Sequence, residues 1–294
     1  GFTHAGCAYL HALDYARTRR QGRALENLKN PEAPQVPIIQ HPDVRRMLLK
    51  MKAYVEGMRS LTYFTAYCFD TIECTESGKE KEHYVSLVEI LTPVVKAYLS
   101  DKGFEVCSDA MQVFAGYGYT KEYPVEQLVR DSRIASIYEG TNGIQAMDFL
   151  ARKVGGKKGG LLETLMEEIR KTVAYSREND LFTNMAGSLE DALGKLEKQL
   201  KSVSGMIMSE SYRSAFALAC PMLEATGDVI MAWMLLWRAQ TARNNMNEKQ
   251  KDWYEGKIQA ARFFFETILP VTMGKLDAVP PGDNPAVTIN ENSF

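Results

Sequence analysis

The sequence predicts an all-α protein, and two observations support this fold class. Apolar residues recur at intervals of three and four along almost the whole chain, which is the spacing of one face of an α-helix. No convincing run alternates apolar and polar residues in the way a half-buried β-strand does. With 294 residues, 45% of them hydrophobic and 24% charged, the chain has an ordinary globular composition and the length for two domains.

The first half of the chain predicts a bundle of long helices. Residues 2–16 have the small, apolar character of a helix interior, and residues 30–41, which include three prolines, predict an extended connection. A second helix is predicted from about Asp43 onward. Pro42 stands near its start, a position where proline is tolerated. Its apolar residues at helical spacing are Met47, Leu48, Met51, Tyr54, Val55, Met58 and Leu61.

A polar loop at residues 75–81 separates this helix from a third, predicted over residues 83–115, in which Pro93 is a candidate kink. The residues of the third helix that should face inward are Leu87, Leu91, Val94, Val95, Tyr98 and Leu99. Two further helices are predicted over residues 124–138 and 144–153. Together these elements form the first predicted domain, residues 1–154.

The second half predicts another helical bundle. Residues 155–160 are rich in glycine and have the composition of a flexible linker, so we place the domain boundary there. Helical periodicity recurs over residues 161–176, 188–208, 211–243 and 248–276, which predicts an antiparallel bundle in a domain spanning residues 161–279. Ser188 and Asp191 have the spacing of a helix-start signal. Residues 280–294 have no periodicity and predict an irregular tail.

Composition argues against several classes of function. Lys and Arg number 35 against 37 Asp and Glu, so the chain offers no basic surface for nucleic acid. No uninterrupted apolar stretch approaches the roughly 20 residues that span a bilayer, so no membrane attachment is predicted. The five cysteines are scattered and odd in number, which predicts a reducing, cytoplasmic location. His4 and His11 lack a third ligand, so no metal site is predicted.

The most informative stretch is residues 137–145, Ile-Tyr-Glu-Gly-Thr-Asn-Gly-Ile-Gln. It places the carboxylate of Glu139 on a glycine-containing turn immediately before an amphipathic helix. Glycine allows close approach of a substrate, and the N–H groups at a helix start receive negative charge, so the turn suits a catalytic base. A lone glutamate beside a helix start is also a common solvated residue, and this motif alone leaves both interpretations open.

Motifs upstream favour the catalytic interpretation. Gln-Val-Phe-Ala-Gly-Tyr-Gly-Tyr at 112–119, Tyr-Pro-Val-Glu at 123–126 and Arg-Asp-Ser-Arg-Ile at 130–134 lead directly into Tyr-Glu-Gly-Thr at 138–141. In this order they resemble the C-terminal helical domain of the acyl-CoA dehydrogenases. The chain resembles the longer members that carry an additional C-terminal helical domain, such as the 3-methylmercaptopropionyl-CoA dehydrogenase group.

The resemblance implies an FAD-dependent oxidoreductase of fatty acid β-oxidation that converts an acyl-CoA thioester to the trans-2-enoyl-CoA. It implies that Glu139 is the general base and that the backbone of Gly140 touches the substrate. A cofactor must accept the hydride, because protein side chains have no such redox capacity. The resemblance further implies that FAD passes the electrons to an electron-transferring flavoprotein, and that the enzyme is a homo-oligomer, a dimer or tetramer.

The resemblance also implies a set of FAD-binding residues. One segment matches the family's contact to the ADP half of FAD from a neighbouring subunit; its residues here are Gln112, Val113, Phe114, Ala115 and Gly116. Thr141 and Asn142 match positions beside the flavin. Arg19 stands in place of the arginine that grips the FAD pyrophosphate, a contact suited to a guanidinium. Departures from the family pattern are Ala115 for glycine, Gly143 for Gln or Glu, and Gly22 for phenylalanine.

We expect the chain to be the C-terminal half of such an enzyme, without its N-terminal helical domain and middle β-domain. Those domains supply much of the flavin and CoA site in the family, so we predict weak FAD binding and no turnover by the chain alone. Two alternatives stay open. One is an acyl-CoA oxidase, which would pass its electrons to oxygen, and the other is a helical oligomerisation module with no activity of its own.

Overall fold

The computed structural model describes residues 1–155, 159–279 and 284–294, and within these ranges the fold is all-α, as predicted. The α-helices are α1 Phe2–Thr18, α2 Pro42–Cys74, α3 Lys79–Phe114, α4 Pro124–Arg133, α5 Asn142–Asp148, α6 Gly160–Ser176, α7 Thr183–Met206, α8 Tyr212–Ala217, α9 Ala219–Asn244, α10 Lys251–Phe263, α11 Leu269–Asp277 and α12 Pro285–Thr288. Two π-helical segments, Phe149–Val154 and Phe264–Ile268, continue α5 and α10. No β-strand occurs in the described ranges, although Arg20 and Pro37 form an isolated bridge.

The chain forms two compact units, and the first comprises residues 1–58 and 99–139. In this unit α1 packs against α4. The buried face of α1 consists of alanines spaced three and four apart, Ala5, Ala8, Ala12 and Ala16. Because alanine is small, this face lets neighbouring backbones approach closely. The helix ends at Thr18, and Arg19 follows directly after it.

The second unit comprises residues 59–98 and 140–294, so α2 and α3 contribute to both units. Its central element is α9, which contacts α5, α6, α7, α10 and α11. By length and hydropathy α9 could span a membrane, but 83% of its most apolar 18 residues is buried inside the protein. A helix that is apolar on all sides and covered by other helices is the core of a globular bundle.

The predicted inward faces of the two long helices are confirmed. All seven apolar residues predicted to face inward from α2, from Met47 to Leu61, are buried. In α3, five of the six predicted residues are buried and Val95 is half-buried. Helix α3 continues through Pro93, and its apolar face therefore runs from Leu87 to Leu99 without interruption.

Several predicted helix boundaries are wrong: α3 begins at Lys79, inside the predicted loop 75–81, and α4 ends at Arg133 and not at residue 138. Three further differences have a local reason. Helix α7 begins at Thr183 and not near Ser188, because Phe182 and Ala186 extend its buried face upstream. The predicted helix 211–243 is divided at Leu218. Pro221 lies in the first turn of α9, where its missing N–H is tolerated, whereas in a continuous helix its ring would clash with the carbonyl of Ala217.

The third boundary lies in the predicted helix 248–276, which is divided by the π-helical segment Phe264–Ile268. Pro270 cannot donate a hydrogen bond to the carbonyl four residues earlier, and the wider π turn just before it accommodates this loss. Part of the predicted linker, residues 156–158, and of the predicted tail, residues 280–283, lies outside the described residues. The described part of the tail contains α12 and a 3-10 turn at Glu291–Ser293.

Candidate functional site

A cleft of about 610 Å³ in the first unit brings together two segments that are distant in the sequence. Arg19, just after α1, lines it together with Val113, Phe114, Ala115 and Gly116, at the end of α3. Five of the six sequence-predicted FAD residues of this unit therefore lie around one opening. Gln112 is exposed in the last turn of α3 and is not part of the cleft lining.

Arg19 is the basic residue of its segment that lines the cleft. Its guanidinium carbon lies 5.1 Å from the centroid of the Tyr117 ring, an arrangement that orients the charge by a cation–π contact. Arg20 instead donates to the backbone carbonyl of Gln35, and Arg23 to those of Pro31 and Ala33. Of the arginines in this segment, Arg19 is therefore the one placed to meet a ligand in the cleft.

Aromatic side chains support the cleft. Tyr15 stacks on Phe114 with ring centroids 4.1 Å apart, and Tyr123 meets both rings edge-on. Burial raises the pKa of the Tyr15 phenol. The wall beside Arg19 is therefore a packed aromatic cluster, to which Val113 and Phe114 contribute buried side chains.

The backbone at Ala115 is unusual. Its φ of 54° lies in the left-handed region, where a side chain is unfavourable and glycine is the ordinary occupant. This is the position at which the sequence departs from the glycine of the family pattern. Three residues later, Gly118 is required for space, because an added Cβ would lie 2.6 Å from the carbonyl oxygen of Met111.

Glu139 lies on a turn with the same kind of strain. Its φ is 56°, and Ala115 and Glu139 are the non-glycine residues with positive φ among the described residues. Gly140 follows with a φ of 79°. Both residues are exposed, so the Glu139 side chain lies at the surface of this chain. Strained backbone of this kind persists where contacts from the surrounding structure stabilise it.

Lys96 of α3 supplies that contact and was missed by the sequence analysis. Its ammonium group donates to the carbonyl oxygen of Gly140 at 2.6 Å and to Oδ1 of Asn142 at 2.8 Å. The Asn142 amide nitrogen donates in turn to the carbonyl oxygen of Ala97, at 3.0 Å. More than 40 residues separate Lys96 from the turn, and no local pattern in the sequence indicates the pairing.

The two residues after Gly140 organise the start of α5. Thr141 is the N-cap residue, and its hydroxyl accepts a hydrogen bond of 3.4 Å from the N–H of Ile144. Asn142, the first helical residue, has both ends of its side-chain amide bonded within the protein. Contacts of Thr141 and Asn142 with FAD stay a prediction, whereas their structural roles are visible.

Two family models match the chain. Residues 2–154 match the model described as "Acyl-CoA dehydrogenase, C-terminal domain", and residues 165–290 match "Acetyl-CoA dehydrogenase C-terminal like". The two matches leave out residues 155–164, which include the predicted linker.

Curated relatives cover nearly the whole chain. The chain is 31% identical to the broad-specificity linear acyl-CoA dehydrogenase FadE5 of Mycobacterium tuberculosis, over 97% of this chain and 48% of that protein. It is 35% identical to 3-methylmercaptopropionyl-CoA dehydrogenase of Ruegeria pomeroyi, over 92% of this chain and 45% of that protein. The chain thus spans about half the length of these curated relatives.

Solved structures share the fold. An acyl-CoA dehydrogenase from Bacillus anthracis complexed with FAD has a TM-score of 0.70 at 20% identity, covering 96% of this chain and 48% of its own. ACDH-11 of Caenorhabditis elegans, in complex with C11-CoA, has a TM-score of 0.72 at 19% identity, covering 91% and 41%. Because the acyl-CoA dehydrogenase model covers residues 2–154, more than half of the sequence, the chain belongs to the acyl-CoA dehydrogenase family.

Proposed function

We propose that this chain provides the catalytic base and part of the FAD site of an enzyme that dehydrogenates acyl-CoA thioesters to trans-2-enoyl-CoA. The observation that carries the proposal is the turn at Glu139, where a carboxylate is exposed on strained backbone. Such strain is retained where function requires one geometry, and here the carbonyl of the next residue is fixed by Lys96.

Glu139 has two roles in the proposed reaction. Its carboxylate removes the proton from the carbon next to the thioester carbonyl, and its backbone N–H donates to the thioester oxygen as negative charge develops there. A base on a turn that is fixed by side-chain hydrogen bonds has less freedom to leave the reactive geometry. Gly140 has no side chain, so substrate can pass close to the backbone at this point.

The residues of the cleft in the first unit fit the phosphate-containing half of FAD. Arg19 brings a guanidinium, the group that pairs best with phosphate oxygens, and its contact with the Tyr117 ring orients it. The strained turn at Ala115 exposes backbone groups of residues 115 and 116 to a ligand. When bound, FAD supplies the hydride acceptor that the side chains lack.

We further propose that the reduced enzyme passes its electrons to an electron-transferring flavoprotein and not to oxygen. FadE5 and 3-methylmercaptopropionyl-CoA dehydrogenase, at 31% and 35% identity over nearly the whole chain, are named as dehydrogenases, which supports this choice. Anaerobic reduction of the full-length enzyme with acyl-CoA, followed by exposure to oxygen, tests it. Slow reoxidation by oxygen and fast reoxidation by the flavoprotein are expected, and the reverse order would indicate an oxidase.

Replacement of Glu139 by glutamine tests the base. In the full-length enzyme that carries this chain, Glu139→Gln should lower the rate of flavin reduction by acyl-CoA at least about a hundredfold, because glutamine keeps the shape but cannot accept the proton. Substrate affinity should change far less. The measurement is stopped-flow absorbance of the flavin under anaerobic conditions.

The matched control is Glu122→Gln, which neutralises another exposed glutamate of the same unit. It should leave the reduction rate unchanged. A loss of only a few-fold in Glu139→Gln, similar to that in the control, would remove Glu139 from the mechanism.

A further inference from the structure

A larger cavity, of about 970 Å³, lies entirely within the second unit and has no part in the proposed reaction. Its walls come from the middle of α2, the first turns of α3, the middle of α6, the C-terminal half of α9 and the start of α10. The volume lies at the upper end of the range of about 300–1,000 Å³ found for small-molecule sites. The cavity is thus large enough for a ligand of its own.

Aromatic side chains dominate the lining. They are Tyr63, Phe64, Tyr67, Tyr84, Trp237, Trp253 and Tyr254. Tyr63, Tyr67, Trp237 and Trp253 are between 43% and 62% exposed, although burying rings of this size is favourable. Two of the lining rings are held by packing, since Trp237 stacks on Trp233 at 6.3 Å and Phe64 meets both edge-on. Flat surfaces in fixed positions suit a flat ligand.

The charges of the lining favour an anion. Three basic residues, Arg59, Arg238 and Lys257, face one acidic residue, Glu168. The Glu168 carboxylate is held by Nε2 of His83 at 2.9 Å and by Nζ of Lys171 at 2.5 Å, neither of which lines the cavity. The carboxylate thus has an ion-pair partner, Lys171, outside the cavity.

Two of the basic groups are held in place by contacts from other helices or from the cavity wall. Nη1 of Arg238, on α9, donates to Oγ of Ser60, on α2, at 3.2 Å. Lys257 is only 7% exposed, and its Nζ lies 4.4 Å from the centroid of the Trp253 ring. Oriented cations beside aromatic faces are a recognition surface for an acidic group attached to a ring.

We propose that this cavity binds a small anion with a flat aromatic body. Arg238 and Lys257 pair with its acidic group, and Trp237 and Trp253 contact its ring. The proposal is independent of the dehydrogenase activity, because no residue of the cavity belongs to the Glu139 turn or to the Arg19 cleft.

Calorimetric titration of the chain with three probes tests both halves of the proposed chemistry. 2-Naphthoate carries ring and charge, 2-naphthamide carries the ring without the charge, and octanoate carries the charge on an aliphatic chain. We expect 2-naphthoate to bind at least tenfold more tightly than either of the others. Equal binding of the amide would show that the negative charge is not recognised and would contradict the proposal. Tighter binding of octanoate would contradict it too, because the cavity would then prefer acyl chains.

Paired variants locate the binding. The double variant Arg238→Gln with Lys257→Gln should weaken 2-naphthoate at least tenfold and leave the amide unchanged. The control is Arg243→Gln with Lys251→Gln, which removes the same charges from the same two helices outside the cavity and should have no effect. Absence of 2-naphthoate binding to the unaltered chain, or equal loss in both double variants, would overturn the proposal.

Discussion

Two residues of the predicted site, Ala115 and Glu139, adopt backbone conformations that their side chains disfavour. Ala115 has a φ of 54° and Glu139 a φ of 56°. A left-handed conformation costs a residue with a Cβ about 1–2 kcal/mol. The role that we propose for Glu139 needs its carboxylate, which glycine lacks, whereas no contact in the structure requires the methyl group of Ala115.

This difference leads to a stability prediction at Ala115. Ala115→Gly should stabilise the protein by about 0.5 kcal/mol, because relief of the left-handed strain exceeds the entropy that glycine adds to the unfolded chain. The comparison is Ala66→Gly, at an exposed position within α2, which should destabilise by about 1 kcal/mol. Urea unfolding measures both, and destabilisation at both positions would contradict the strain at Ala115.

Lys96 is the residue whose importance only the structure reveals, and its role is testable in the full-length enzyme. Lys96→Met removes the donor to Gly140 and Asn142, so the turn should lose its fixed geometry and kcat should fall about tenfold with a smaller change in KM. Lys96→Arg should recover part of kcat. The control is Lys153→Met, which breaks an ion pair with Glu89 in the same unit and should leave kcat unchanged.

At the scale of elements, a buried polar contact joins three helices of the second unit. The Tyr98 hydroxyl, on α3, donates to Oδ1 of Asp228 at 2.5 Å, and the Thr272 hydroxyl, on α11, donates to Oδ2 at 2.7 Å. Gly227 makes the approach possible, because an added Cβ would lie 2.1 Å from Cδ2 of Tyr98. A glycine in the middle of α9 costs helix stability, and this contact is the physical reason for it.

Removal of one hydroxyl tests the contact. Tyr98→Phe should lower the free energy of unfolding by about 1–3 kcal/mol, because the buried Asp228 carboxyl loses a donor that water cannot replace. Tyr212→Phe, at a half-exposed tyrosine of α8, should change it by no more than about 0.5 kcal/mol. Urea unfolding of both variants gives the comparison, and equal effects would show that the Tyr98 hydroxyl contributes nothing specific.

At the scale of the whole molecule, the chain carries the Glu139 turn and the Arg19 cleft but spans about half the length of its curated relatives. We predict that the chain alone binds FAD weakly and does not turn over acyl-CoA. Flavin absorbance after dialysis and an assay with acyl-CoA measure the two properties. A yellow, active preparation of the chain would contradict the prediction. The domain boundary at residues 155–160 likewise remains our proposal.

The sequence by itself determined the all-α class, the inward faces of α2 and α3, and the residues proposed for the site. Helical periodicity is a local pattern, and the motifs from Gln112 to Thr141 lie close together in the chain. The tertiary structure decided which arginine lines the cleft and that Lys96 holds the Glu139 turn. It also decided where α9 begins and which aromatic residues surround the large cavity. These features depend on contacts between residues far apart in sequence, or on how a proline is accommodated in a helix. Helical periodicity contains no information about either.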